Sequence, residues 1–358
     1  MELETVSYQQ VCDGYKPDGD EYGLAEYALA PPRKQAFLAN PNLNDYSKVM
    51  LKLLRKDGKI IGRSMMFPSR FKADEQIIET VGGSALEVAK PFRDGEAGGF
   101  LMSYNIRHKE NNAIISSGFS ETAAKCHKAL RAYLLCFPLY IQIRDFRPIL
   151  TKIGFHGILA NFIGTICNYL YSPVLLYIKN KTTKKYKQYK IEQVTEIPQW
   201  VEEIVLHDGH KYMEIHDQKW LQWSLNNMFH SHKNNINRFY IVKIGVENVG
   251  FFMIKERVRV IAGKESLLGT ICEWGTKDSH RLSEYDLNLL ALNKFSNNVD
   301  AIFYATNDTY TEQKMKKMFF FRKGEAQIAF YDLHKKFREA RSIDLWRVRL
   351  GYADTILN

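Results

Sequence analysis

The 358-residue chain has little cysteine, and what it has is scattered. Cys12, Cys126, Cys136, Cys167 and Cys272 are odd in number and form no C-x-x-C pair. That pattern argues against a disulfide framework and a cysteine-based zinc site, and it points to a reducing cytoplasm. The N-terminal MELETVSYQQVCDGYK lacks the basic start and apolar run of a cleaved secretory signal, so export by that route is not expected. Acidic residues do not keep pace with basic ones: 50 Lys+Arg against 40 Asp+Glu leave a net charge of +10. The excess favours anionic partners such as nucleotides, phosphates, membrane headgroups or RNA without choosing among them. What is plentiful is core material, with 45% hydrophobic and 13% aromatic residues, enough for two domains.

Regular structure is expected from about residue 45, after a loop-rich start with short helices. KVMLKLLRKDGKIIGRSMMFPSRF pairs two apolar runs across Asp57-Gly58, the signature of a tight hairpin. EQIIETVGGSALEVAKPF is a further long strand in which Gly82-Gly83 marks a bulge or a close backbone approach. GGFLMSYNIRHKE reads as a helix, NNAIISSG as a buried strand, FSETAAKCHKALRA as a helix capped by Ser120, and YLLCFPLYIQIRD as another strand. From about Tyr189 the order repeats. A hairpin around Glu247-Asn248 is followed by strand SLLGTICEWGTK, a helix capped by Ser283, strand DAIFYATN, helix TYTEQKMKKMFFF and strand AQIAFYDLH. Two copies of one topology are the simplest account.

Between the copies, residues 157–178 are 22 residues without a charge, followed by the basic KNKTTKKYKQYK. The length suits a bilayer span, but Asn161, Asn168, Ser172 and Pro173 interrupt it, and a helix packed between two domains is the preferred reading. Peripheral membrane contact through 157–190 stays open beside it. The Lys-Tyr interleaving is read as a solvated linker face, and nucleic acid is not expected as a partner.

The chemistry is sought in KPFRDGEAGGFLM, residues 90–102, where small residues lead into a helix. A helix start leaves N–H groups unpaired and carries partial positive charge, so glycines there let a diphosphate approach the amides. The stretch resembles the phosphate turn of the GNAT superfamily of acyl-CoA N-acyltransferases, in which a strand valine runs into Arg/Gln-x-x-Gly-x-Gly/Ala. Here Val88 precedes Arg93-Asp94-Gly95-Glu96-Ala97-Gly98; Arg93 and Gly98 match, while Glu96 occupies the middle glycine position. Ser120, Ala123 and CHKALRA fall at the spacing of the family's next helix, with His127 where the family commonly has a tyrosine.

The resemblance implies an α/β fold of mixed sheets. It would comprise two tandem GNAT-like domains, each a twisted mixed sheet flanked by helices, at 1–146 and 189–358, joined by an apolar helix and basic linker over 147–188. It implies a cosubstrate, acetyl-CoA or another acyl-CoA, held by Val88, Ala89, Arg93, Asp94, Gly95, Glu96, Ala97, Gly98, Gly99 and Ser120. It further implies an oxyanion donor in the backbone N–H of Val88 or Ala89, and His127 as the acid that returns a proton to the leaving thiolate. An amine also needs a base, for which Glu87 and Glu79 lie on the right strand; alternation puts both odd positions on one face. The acceptor would be the amine of a small molecule, sugar or peptide. The second unit has Asp278, Glu284 and Asp286 where a phosphate turn is needed, and is expected to support the first or shape the cleft. Two other readings remain: a Fem-type aminoacyl-tRNA-dependent transferase, and a non-catalytic binding or scaffold protein. His207, His210, His216, His230 and His232 crowd one region but lack cysteine or a tight carboxylate partner, so no metal is expected. Trp220 and Trp223 are assigned to core or cleft wall.

Overall fold

The structure is a computed structural model that describes residues 1–107, 112–155, 157–229 and 232–357, without the side chains of Asp354 and Ile356. The strands are β1 (Glu2–Ser7), β2 (Val49–Lys56), β3 (Lys59–Ala73), β4 (Gln76–Val88), β5 (Ala113–Ser117), β6 (Tyr133–Ile143), β7 (Tyr189–Val194), β8 (Tyr212–Glu214), β9 (Ile236–Ile244), β10 (Glu247–Ile261), β11 (Lys264–Thr276), β12 (Ala301–Ala305) and β13 (Phe321–Asp332). The helices are α1 (Tyr8–Cys12), α2 (Leu24–Ala28), α3 (Pro31–Leu38), α4 (Ala97–Arg107), α5 (Glu121–Ala129), α6 (Arg147–Lys152), α7 (Gly157–Lys185), α8 (Trp200–Leu206), α9 (Gln218–Asn226), α10 (Glu284–Leu292) and α11 (Thr309–Met315).

The repeat read from the sequence is present. β2-β3-β4 and β9-β10-β11 are antiparallel meanders, and each is followed by a strand parallel to its last member, β5 on β4 and β12 on β11. The two sets are one sheet in the order β1-β2-β3-β4-β5-β13-β6-β12-β11-β10-β9-β7, with β8 on β3. The last strand of the second unit, β13, lies between β5 and β6 of the first, and β6 in turn pairs β12. One core joins Val6, Phe37 and Phe67 to Trp220, Phe239 and Met253 from the other half of the chain. Trp220 and Trp223 stack at 4.2 Å inside it.

Local chemistry accounts for most boundaries. Asp57 and Gly58 both take positive φ, 51° and 76°, at the β2–β3 turn. The second hairpin turns two residues earlier than Glu247-Asn248, at Gly245-Val246, because Gly245 supplies the left-handed backbone at φ 59°. Gly82-Gly83 is the close approach rather than the bulge: a Cβ on Gly82 would sit 2.1 Å from the Phe67 ring. Ser120 and Ser283 cap α5 and α10 as expected. The opening residues hold a strand, β1, as well as helices. Residues 108–110, read as the end of α4, lie outside the described residues, as does His230.

The linking segment forms α7, which packs by one face only: Ala160, Gly164, Ile178 and Thr182 are buried, and most of the remainder is exposed.

Candidate active site

β4 and β5 are hydrogen-bonded as parallel partners over only three residues, Val81–Gly83 against Ile114–Ser116, after which β4 runs on to Val88 paired with β3 alone. Just past that point β4 bulges. Ser84 pairs Met65 and Glu87 pairs Arg63, so Ala85 and Leu86 face the single residue Ser64. Ala85 sits at φ 48°, and the buried Arg63 grips its carbonyl through Nε at 3.2 Å. A cleft of about 330 Å³ opens where the strands part. Its walls are Gly83–Glu87 of β4, Met102 and Asn105 of α4, Ser116–Ser120, His127 of α5, and Tyr331, which β13 brings from the far end of the chain.

The extra residue at the bulge reverses the alternation expected along β4. Glu87 faces the cleft, paired with Arg63 at 2.5 Å and Arg93 at 3.3 Å, whereas Glu79 faces away, beside Lys48 and Asn44. The two carboxylates therefore do not share a face. Glu87 is thus engaged by two guanidinium groups.

The turn before α4 has the polarity sought. The Glu96 carbonyl accepts the first helical bond from Phe100 at 2.8 Å. Among the described residues no partner meets the amides of Ala97, Gly98 and Gly99, and no side chain caps them. A Cβ on Gly99 would meet open space, and one on Gly98 would rest 3.7 Å from Val88. This end lies one residue beyond the cleft wall along β4. Asp94, Gly95 and Glu96 are exposed beside it. Arg93 folds back instead of projecting, donating from Nε to the Val88 carbonyl at 2.9 Å. Ala89 is not available as an oxyanion donor, because its N–H is bound to the Ile61 carbonyl at 2.8 Å. Val88 stands opposite Gly62 in the ladder. Ser120 serves as the α5 cap, its Oγ accepting from the Ala123 N–H at 3.3 Å, while also lining the cleft.

His127 differs from the expectation in its charge. It is 6% exposed, rests on Phe119 and lies 2.7 Å through Nδ1 from the Tyr331 hydroxyl. Burial pushes its pKa down to about 4, so the ring is neutral at pH 7 and cannot serve there as an imidazolium acid. Burial also raises the Tyr331 hydroxyl above its ordinary value, keeping it protonated.

Sequence reading missed Arg63, Tyr331 and Lys52. Lys52 is buried, pushed down to about 8, and donates to Asn105, whose amide reaches Ser64 at the cleft wall. A signal existed for Arg63 and Lys52: each is a cation in mid-strand with apolar pairs close on either side, Met50-Leu51 and Leu53-Leu54 around Lys52, Ile60-Ile61 and Met65-Met66 around Arg63.

A second chamber of about 510 Å³ adjoins the first across Ser117, Gly118, Phe119 and Thr355. Its floor is apolar, with Phe137, Leu139, Phe303 and Ile328, and its rim carries Lys255, Lys323 and Glu325. The corresponding helix start in the second unit, at α10, is closed by its own side chains, with Ser283 and Asp286 capping each other's amides. Among the described residues no group of three or more His, Cys, Asp or Glu side chains could hold a metal ion.

No protein-family model matches the chain, and no curated protein matches it in sequence. Solved structures do resemble it. A GCN5-related N-acetyltransferase from Anabaena variabilis is 8% identical, with TM-score 0.55 over 93% of this chain and 73% of that one. The N-myristoyltransferase of Saccharomyces cerevisiae with bound myristoyl-CoA is 12% identical, with TM-score 0.56 over 92% of this chain and 82% of that one. An Enterococcus faecalis protein described as a probable N-acyltransferase is 12% identical, with TM-score 0.54 over 93% of this chain and 72% of that one. The chain has a GNAT-type fold in tandem form.

Proposed function

We propose that this GNAT-type fold works as an acyl-CoA-dependent N-acyltransferase, with the acyl-CoA lying in the opening between β4 and β5 and the amine arriving from the second chamber. The observation that carries the reading is the bulged, parting strand pair beside a helix start with unpaired amides. Strand edges released from their ladder offer N–H and C=O groups to the amides of a pantetheine arm. The α4 amides suit the diphosphate, although Glu96 and Asp94 oppose it and Arg93 is already engaged. That two of the structurally similar proteins are an N-acetyltransferase and an N-myristoyltransferase agrees with acyl transfer and leaves the chain length of the acyl group open.

In this scheme the neutral amine attacks the thioester carbon, forming the C–N bond. The carbonyl oxygen gathers the charge until the C–S bond breaks. The donor for that oxygen is assigned to the bulge amides of Ala85 and Leu86, since Ala89 is occupied. Such a donor is worth about 3 kcal/mol. The departing sulfur is met by the Tyr331 hydroxyl, held by neutral His127. The amine's surplus proton passes to solvent.

Calorimetric titration of the intact chain with acetyl-CoA and with myristoyl-CoA tests the reading. Micromolar affinity, about −8 kcal/mol, is expected for at least one of them. Gly98→Val, which thrusts a branched side chain into the space beside Val88 at the amides, is expected to weaken it at least tenfold with the fold intact. Absence of heat with either ligand, together with unchanged amide exchange at residues 84–88 and 97–99, would leave a binding or scaffold protein instead.

A further inference from the structure

We propose that the outer face of α7 seats in the headgroup region of an anionic phospholipid bilayer, so that the helix lies along the membrane surface and does not cross it. Three surfaces of one helix carry this. The inner face is committed to the protein. Gly164 fits so closely on α6 that a Cβ would come within 2.5 Å of the Arg147 side chain. The Asn168 amide accepts the Phe146 N–H at 2.9 Å and donates to Asp145 at 2.9 Å. Tyr186, just beyond the helix, is buried and hydrogen-bonded to Asp286. A helix held by polar bonds near its middle and at its C-terminal end cannot leave the body to span a bilayer without breaking them.

The outer face has the opposite character. Ile158, Phe162, Tyr169, Leu170, Leu176 and Tyr177 are each more than half exposed, Ile158 at 88%. Single exposed apolar side chains are ordinary, but a contiguous row of them along a helix roughly 43 Å long is not. The third surface chooses the occupant. Residues 157–191 contain no acid, and Lys179, Lys181, Lys184 and Lys187 project into solvent at the C-terminal end without an ion-pair partner among the described residues. Apolar side chains with an adjoining cluster of one positive sign match a surface that is apolar below and negative above, which an anionic bilayer supplies. Tyr169 and Tyr177 have the amphipathic rings suited to that boundary.

Sedimentation of the intact chain with vesicles tests this. Binding to phosphatidylcholine vesicles containing roughly one-third phosphatidylglycerol is expected, and it should fall at least tenfold on pure phosphatidylcholine or at about 0.5 M salt. The double variant Phe162→Glu/Leu170→Glu, at positions exposed to solvent, is expected to lower binding about a hundredfold. Val246→Glu, the same charge change at a hairpin tip 99% exposed, should leave it unchanged. Lys179→Glu/Lys181→Glu/Lys184→Glu alters no buried side chain and provides a check should the double variant fail to fold; it too must lose binding. Wild-type protein that ignores anionic vesicles overturns the proposal. So does vesicle binding that the helix variants leave intact. Concentration-dependent self-association without vesicle binding, abolished by Phe162→Glu/Leu170→Glu, would assign the face to a second copy of the chain.

Discussion

An Arg349→Leu chain is expected to lose about 3–5 kcal/mol of stability in urea unfolding, the cost of stranding buried charge. Arg349 is 1% exposed and sits in a sealed set of four ionisable groups. Its guanidinium donates to Glu273 at 2.9 Å and to the Glu214 carbonyl. His216 bridges the same two acids, with Nδ1 at 2.6 Å from Glu273 and Nε2 at 3.0 Å from Glu214. Glu214 also accepts from Ser69 at 2.6 Å and from the Ala353 N–H at 2.7 Å. The set thus ties β8 and β11 to the last stretch of chain, and that stretch delivers Thr355 to the wall between the two chambers. A loss under about 1 kcal/mol would mean the set contributes nothing net.

The same cluster gives the pH dependence its sign. Burial alone would raise the Glu273 carboxyl, but Arg349 and His216 hold it below its ordinary value; His216, Ser69 and the Ala353 amide do the same for Glu214. A carboxyl depressed in the folded state binds its proton more readily once unfolded, so its stabilisation is fully present above the unfolded pKa near 4.3 and drains away as pH falls below it. Without Arg349, Glu273 loses the strongest influence depressing it, so the variant, less stable near neutrality, is expected to lose less stability in acid, and the gap to the wild type narrows as pH falls below about 4.3. Urea midpoints measured from pH 7 down to about 2.5, through the window below the unfolded carboxyl pKa, would read this directly; parallel curves for the two proteins would contradict it.

The order of elements was legible because it depends on local signals: Asp57-Gly58 needs positive φ twice, Ser120 and Ser283 must cap, and the two meanders share one hydrophobic rhythm. The partnership of β13 with β5 and β6 was not legible, because AQIAFYDLH carries the same alternation whichever edge it joins. That one exchange decides the candidate site, since it inserts Tyr331 opposite His127. The bulge at Ala85-Leu86 was hidden for a related reason. Gly82-Gly83 drew attention, yet its glycines answer to Phe67 and Ser116 across the sheet, and the distortion falls where Arg63 holds the Ala85 carbonyl. A shift of one residue then turned Glu79 and Glu87 to opposite faces. The charge state of His127 depends on burial, which a spacing of residues cannot supply.

Tyr331→Phe is expected to lower kcat about a hundredfold while leaving acyl-CoA affinity within about threefold of the wild type, the signature of an interaction made at the transition state. The expectation rests on the proposed acyl transfer. Burial lifts the Tyr331 hydroxyl above its ordinary value, so it is protonated across the neutral range. A phenol is then a weaker acid than a thiol, whose ordinary pKa is near 8.5. Its main service is a hydrogen bond to the negative charge gathering on sulfur, with the proton following as the C–S bond opens. His127 is the positioning residue, holding the hydroxyl at 2.7 Å while itself neutral. With its pKa at about 4, His127 should produce no inflection in the kcat profile between pH 5.5 and 7.5. His127→Phe is therefore expected to cost less than Tyr331→Phe, and the double variant no more than Tyr331→Phe alone, because both act through one hydroxyl. Should Tyr331→Phe turn over within threefold of the wild type, water would be the donor to sulfur. An inflection near pH 6.5 that His127→Phe removes would restore the imidazolium as the acid.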